Sequence, residues 1–193
     1  MAKLWWHRSK SHTALFSALT AIILITLSFV FVYIERSLEP KPFPPVALPE
    51  RLVIPIINVN AQIQIVGTDS FGRMEMPSNY TDVAWYKSGA RPGERGNAVI
   101  DGHLDTATTS DAVFAMLSLL KPDDDIYGWD KAGQKIHFRV TAKEMYEETK
   151  SPLEKIFGQT DKAKLNLITC DGVWDPKTKN YSKRLVVYSI RVL

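Results

Sequence analysis

Leu165-Asn166-Leu167-Ile168-Thr169-Cys170, followed at once by Asp171-Gly172, carries the single cysteine of a 193-residue chain. The run is apolar and strand-like, and the Asp-Gly pair after it reads as a turn. A thiol with no partner in the chain forms no intramolecular disulfide, and a strand end is a place where a nucleophile can be presented. By residue type alone, a free cysteine is most often a small buried apolar side chain. To attack a carbonyl well it must be ionised, which calls for an imidazole or another cation nearby.

Those partners are found on either side of it. Arg184 opens a second apolar run, Arg184–Val192, beyond a 171–183 loop. Two strands joined in this way pair side by side, bringing the end of one to the start of the other. Arginine suits a developing oxyanion because it stays charged and offers several donors. Arg191 is the weaker candidate, since an odd offset in a period-2 strand puts it on the opposite face. Of the four histidines, His7 and His12 precede the apolar N-terminal segment. His137 sits inside the strand pattern Ile136–Val140, where a satisfied or solvent-facing imidazole is expected. His103 differs: it follows a glycine at the end of an apolar strand, in Val99-Ile100-Asp101-Gly102-His103-Leu104-Asp105.

The remaining pattern is of short strands separated by turns. Arg51–Ile57, Ala61–Val66, Asn97–Ile100, Ile126–Trp129 and Lys135–Glu148 read as strands, the last two joined at Asp130-Lys131-Ala132-Gly133. Asp111 reads as the N-cap of a short helix with Val113, Phe114 and Leu117 on one face. Ser151-Pro152-Leu153-Glu154 reads as a capping box opening a helix through Phe157. Many short strands with one or two brief helices predict a mostly β, closed barrel of about eight strands.

Ahead of this domain, Thr13–Ile34 is uncharged over 22 residues. That is long enough to span a bilayer and longer than the apolar region of a cleaved signal peptide. It predicts an uncleaved transmembrane signal anchor in contact with membrane lipid, with Trp5, Trp6 and Tyr33 as aromatic anchors. Lys3, Arg8 and Lys10 precede it with no acidic residue, which orients the N-terminus to the cytoplasm and the rest outside. The same three residues account for the net charge of +3, so the remainder is formally neutral and no nucleic-acid partner is implied. Ser37–Pro49 holds five prolines and reads as an extended stalk. The expected division is a 1–12 cytoplasmic tail, a 13–34 anchor, a 35–49 stalk and a 50–193 extracytoplasmic catalytic domain.

The strand ending on Cys170, with Arg184 on the next strand, resembles the sortase signature, a Thr-Leu-x-Thr-Cys strand followed by an arginine. Asn97–Asp105, with Gly102-His103, resembles the sortase histidine segment. The likeness extends to Arg51-Leu52-Val53-Ile54-Pro55, Gly72–Pro77, Trp85-Tyr86 and Arg91-Pro92-Gly93-Glu94. Thr169–Gly172 with Asp175, Tyr181 and Arg184–Tyr188 is most similar to class F sortases. Asn166 departs from the pattern, standing where a threonine is frequent.

This resemblance implies a sortase-type barrel and a membrane-bound cysteine transpeptidase at the cell surface of a Gram-positive-type bacterium. Its clients would be surface proteins bearing C-terminal Leu-Pro-x-Thr-Gly-like sorting signals, cut between Thr and Gly. Its acceptor would be an amine of a cell-wall peptide or pilin. Cys170 would be the nucleophile, His103 the proton-transfer group and Arg184 the clamp on substrate and oxyanion. Thr169, Trp174 and Asp105 are expected near the substrate; Asp105 would orient the loop or stay solvated, and Trp174 would line the groove or pack its loop. No metal or organic cofactor is implied: His103-x-Asp105 lacks a complementary ligand set, and Asp123-Asp124-Asp125 reads as a polar turn. Two alternatives stand beside this reading, a thiol peptidase that mainly hydrolyses such signals and a silent surface binding or assembly module.

Overall fold

The computed structural model describes residues 3–38, 43–106, 108–109 and 111–192. It forms two compact units, divided after Pro42. In the first, a single helix, α1, runs Lys3–Leu38. Its Phe16–Arg36 stretch is long and apolar enough to cross a membrane. Leu19, Ile22, Leu24 and Phe29 on it are exposed. The expected anchors Trp5 and Trp6, and the charges Lys3, Arg8 and Lys10, have side chains outside the described residues. So do Glu39–Pro42 of the proline-rich stretch.

The second unit is a closed eight-stranded barrel with strand order β1-β2-β3-β4-β7-β8-β6-β5. The strands are β1 Pro49–Ile54, β2 Val59–Val66, β3 Val83–Tyr86, β4 Gly96–Asp101, β5 Asp125–Asp130, β6 Lys135–Glu147, β7 Ala163–Asp175 and β8 Asn180–Arg191. Most neighbours are antiparallel, but β2–β3 and β4–β7 are parallel. Alternate residues fill the interior: Leu52 and Ile54, Ala98 and Ile100, Leu165 and Leu167, Leu185 and Val187, with Phe114 and Phe138. Closure removes the free sheet edges. Ahead of β1, Val46 is buried, Ala47 N–H donates to Asp130 Oδ2 at 2.9 Å, and Arg91 Nη1 donates to Val46 O at 2.8 Å. Residues 43–48 therefore lie along the barrel wall.

A second apolar cluster lies on the barrel's outer face. Val99, Val186 and Tyr188 pack there with Ile156 of the short helix α2, Leu153–Phe157, flanked by Ile168, Tyr86 and Tyr146. Asn166 explains its departure from the expected threonine here. Its Nδ2 donates to Ile156 O at 2.8 Å and to Asn97 Oδ1 at 3.1 Å, while Asn97 Nδ2 donates to Gly158 O at 2.7 Å. Two buried amides thus bind the end of α2 to β4 and β7.

Three local expectations are corrected. Asp111 caps no α-helix: the N–H groups of Val113 and Phe114 donate instead to Tyr80 O and His103 O, at 2.8 and 2.9 Å. The segment folds as turns and a 3-10 turn at Leu117–Leu119, with Phe114 and Leu117 still buried. The capping box at Ser151 does not form, because the Ser151 hydroxyl faces back to Glu148 O at 3.3 Å and Pro152 occupies the cap. Finally, 171–183 is no open loop: β7 and β8 continue past Cys170 as one hairpin. Its register shifts between Asp171 and Trp174, where Gly172 adopts φ +86° and Val173 N–H donates to Ser182 Oγ.

Gly102 is required by a close approach, since a Cβ there would lie 2.5 Å from the fully buried Phe114 ring. Gly102→Ala is expected to cost about 1–3 kcal/mol through overpacking. A lowered urea midpoint with unchanged slope would register it; an unchanged midpoint would show that the ring has room to move.

Candidate active site

Strand parity and register assemble the site. On β7, Leu165, Leu167 and Thr169 point inward, so Asn166, Ile168 and Cys170 point outward. On β8, inward Leu185 and Val187 put Arg184 and Val186 outward. Cys170 and Arg184 are direct cross-strand partners. On the other side β4 runs parallel to β7, with Asp101 paired to Ile168. The ladder continues one step through Gly102 N–H to Ile168 O at 3.2 Å. His103 follows directly, on the side of β7 opposite Arg184.

His103 is held by its own surroundings. Its Nε2 lies 3.0 Å from Pro77 O, and its ring packs 5.0 Å from that of Tyr80. A carbonyl only accepts, so Nε2 carries hydrogen and Nδ1 is the nitrogen left to gain or lose a proton. Cys170 is half-buried, and burial pushes its thiol up. The Arg184 guanidinium opposes that shift, while Asp101, Asp105 and Glu148 add to it. The resting sulfur at neutral pH is therefore overwhelmingly a thiol.

Arg184 is tied to its own hairpin. Nη1 donates to Tyr181 O at 3.0 Å and Lys183 O at 2.9 Å, and Nη2 donates to Asn180 Oδ1 at 2.6 Å. Glu148 Oε1 lies 3.7 Å away. These contacts fix the guanidinium beside the cysteine strand and spread its donors over several acceptors.

Of the remaining expected residues, Asp105 orients the loop. It accepts from the Tyr181 hydroxyl, which pushes the phenol up to about 12 and joins the His103 loop to β8. Trp174 is 48 % exposed and packs 5.2 Å from the Tyr181 ring, on the hairpin beyond the sulfur. Thr169 is fully buried, and its hydroxyl donates to Gly102 O at 2.7 Å. The structure thus does not bring that hydroxyl to the face holding Cys170; it fastens the histidine segment to the cysteine strand. Arg191 lies at the far end of β8, paired with Phe138 and donating to Gly93 O. His137 is satisfied by Asp125 at 2.7 Å and stacks on Tyr127. Asp124 accepts from Lys121 N–H at 2.7 Å, as the polar-turn reading expects.

Asp101 and Glu148 escaped the sequence reading. Asp101, the last residue of β4, lies two positions before His103 and so shares its parity, a signal that was present; Glu148 comes to Arg184 only through the β6–β8 pairing. Among the described residues no group of three or more His, Cys, Asp or Glu is placed to hold a metal ion.

Tyr181→Phe is expected to release the Asp105 tie. The loss should be about 1–3 kcal/mol, with faster amide exchange at residues 104–106. Exchange unchanged at those residues would show that the tie does not hold the loop.

Residues 52–192 match the family model described as the sortase domain. Solved structures share the fold. A lid mutant of sortase A from Corynebacterium diphtheriae aligns at TM-score 0.59 and 24% identity, over 78% of this chain and 73% of its own. Sortase C-1 from Actinomyces oris aligns at 0.59 and 25%, over 75% and 71%. Streptococcus agalactiae sortase C1, in its complex with MTSET, aligns at 0.58 and 23%, over 75% and 67%. No curated protein sequence matches significantly.

Proposed function

The chain belongs to the sortase family, and from that premise we propose that it is a membrane-anchored cysteine transpeptidase acting on Leu-Pro-x-Thr-Gly-like sorting signals. The observation that carries this reading is the register: Arg184 directly across from Cys170, and the β4 ladder running on through Gly102 towards His103 on the other flank of β7. A binding module has no reason to keep that trio on one face. The class F assignment rests on Thr169–Gly172, Asp175, Tyr181 and Arg184–Tyr188. Clients would be surface proteins with C-terminal signals, and the acceptor a cell-wall peptide or pilin amine. The basic residues ahead of Thr13 favour a cytoplasmic N-terminus and a catalytic domain outside the plasma membrane.

In the first half-reaction the Cys170 thiolate attacks the threonine carbonyl, forming a C–S bond and an oxyanion that Arg184 stabilises. His103, protonated, gives its proton to the departing glycine nitrogen as the C–N bond breaks. A thioacyl-enzyme and a neutral imidazole remain. In the second, His103 takes a proton from the incoming amine, a new C–N bond forms and the thiolate leaves. Because burial and three carboxylates hold the sulfur protonated, the reactive thiolate–imidazolium pair is a small fraction of the resting enzyme.

The test uses the full chain in detergent micelles with a quenched Leu-Pro-x-Thr-Gly peptide, with and without an amine acceptor. A Cys170-linked acyl adduct by mass spectrometry and an amine-dependent product are expected. Cleavage should vanish in Cys170→Ala and fall about 100-fold or more in His103→Ala and Arg184→Ala. A Cys170→Ala protein that still cleaves overturns the mechanism. Near-normal rates in the other two would overturn their roles alone, and amine-independent product would assign the hydrolytic alternative.

A further inference from the structure

Asp101 ends β4 on the same outward face as Cys170 and Arg184, one residue short of the Gly102-His103 pair. Its backbone is locked between Ala84 of β3 and Ile168 of β7, so the carboxyl cannot leave this face. Beneath it the outer apolar cluster, Val99 and Ile168 among others, excludes water from one side. Among the described residues it has no ion pair within 4.0 Å, unlike Glu148, which reaches Arg184. The titratable and charged groups on the elements around this end of β4 are Tyr86 on β3, His103 and Asp105 beyond β4, Cys170 and Asp171 on β7, Tyr181, Lys183 and Arg184 on β8, Glu148 after β6, and Glu154 and Lys155 on α2, the lysine being held by Glu144 at 2.7 Å. Of the cations, Arg184 is the one that faces the cysteine across the β7–β8 ladder and pulls on the Asp101 carboxyl.

We propose that Asp101 is a positioning residue acting through Cys170 and Arg184: protonated, it leaves the guanidinium to the sulfur, and ionised, it competes with the thiolate for that guanidinium. The proposal rests on the reading of Cys170 as the nucleophile. Two anions on one face cannot both be served by one cation at no cost, and on a half-buried face the repulsion between them is only partly screened. Burial holds the Asp101 carboxyl up at about 7 despite the pull of Arg184, so its charge changes within the working range of the site.

The sign follows. Below that titration Asp101 is neutral and does not oppose thiolate formation. Above it, the new negative charge joins Asp105 and Glu148 in raising the thiol. Asp101→Asn removes the charge at every pH while keeping the shape, and Asp101→Glu keeps an acid.

The experiment measures the alkylation rate of Cys170 by iodoacetamide in the full chain, in detergent micelles, from about pH 5 to 10. Asp101→Asn is expected to react about threefold faster or more than wild type near pH 9, corresponding to about half a pKa unit. The two rates should converge towards the acid end, and Asp101→Glu should restore the wild-type direction. A rate ratio that does not change with pH overturns the proposal, because a purely structural effect has no such dependence. A second measurement needs no variant: carbon NMR of the aspartate carboxyls in the wild-type chain should show Asp101 titrating near 7. A midpoint at the ordinary carboxylate value, about 4, overturns the proposal as well. Alkylation needs no sorting signal, so the two readings separate. The expected profile without peptide cleavage would sink the transpeptidase reading alone; cleavage with superimposed profiles would sink the role of Asp101 alone.

Discussion

Everything in the site depends on the parallel pairing of β4 with β7. That ladder joins segments far apart in sequence and sets one register, Asp101 to Ile168. From it follows the height of His103 relative to Cys170, and with the β7–β8 partnership the placement of Arg184. The pairing is fastened at the Cys170 end by two bonds, Gly102 N–H to Ile168 O and Thr169 Oγ1 to Gly102 O. A slip of one residue would turn Cys170 into the barrel and bring Thr169 out. Register, rather than any single contact, makes the constellation.

The electrostatics of the face are unbalanced. One guanidinium stands against Asp101, Asp105 and Glu148, all of which resist ionisation of the sulfur. Such an arrangement keeps the thiol protonated at rest, which suits the proposed reaction if it begins only with substrate in place. Arg184 itself is shared among hairpin acceptors before any ligand arrives. In the proposed reaction, bringing it to an oxyanion would mean redistributing those donors, an exchange favoured by the charge that develops in the transition state.

Much of this was legible in the sequence because it is local. The cysteine strand, the arginine strand, the glycine before His103 and the uncharged N-terminal segment each announce themselves within a dozen residues. What was not legible is what depends on distant partners. β3 is four residues long and is a strand because β2 and β4 flank it. Asp171-Gly172 has the chemistry of a turn, yet the pairing with β8 carries the chain through it as a bulge. Asp111 and Ser151 carry capping residues, but tertiary acceptors and a proline at the cap took the backbone elsewhere. Asn166 reads as a flaw in a motif until α2 is seen hanging from its amide. Thr169 looks like a neighbour for the substrate until strand parity turns it inward.

The proposed function turns on Cys170 lying between Arg184 and His103, with the guanidinium serving the carbonyl oxygen and the imidazole the departing nitrogen. The most direct measurement is a crystal structure of the chain with Cys170 captured by a ketone analogue of a sorting-signal peptide. The account predicts a thiohemiketal whose oxygen lies within about 2.7–3.1 Å of the Arg184 guanidinium, with the His103 ring towards the leaving-group side. An adduct oxygen turned away from Arg184, with the guanidinium still bound to Asn180 and Tyr181, would contradict it.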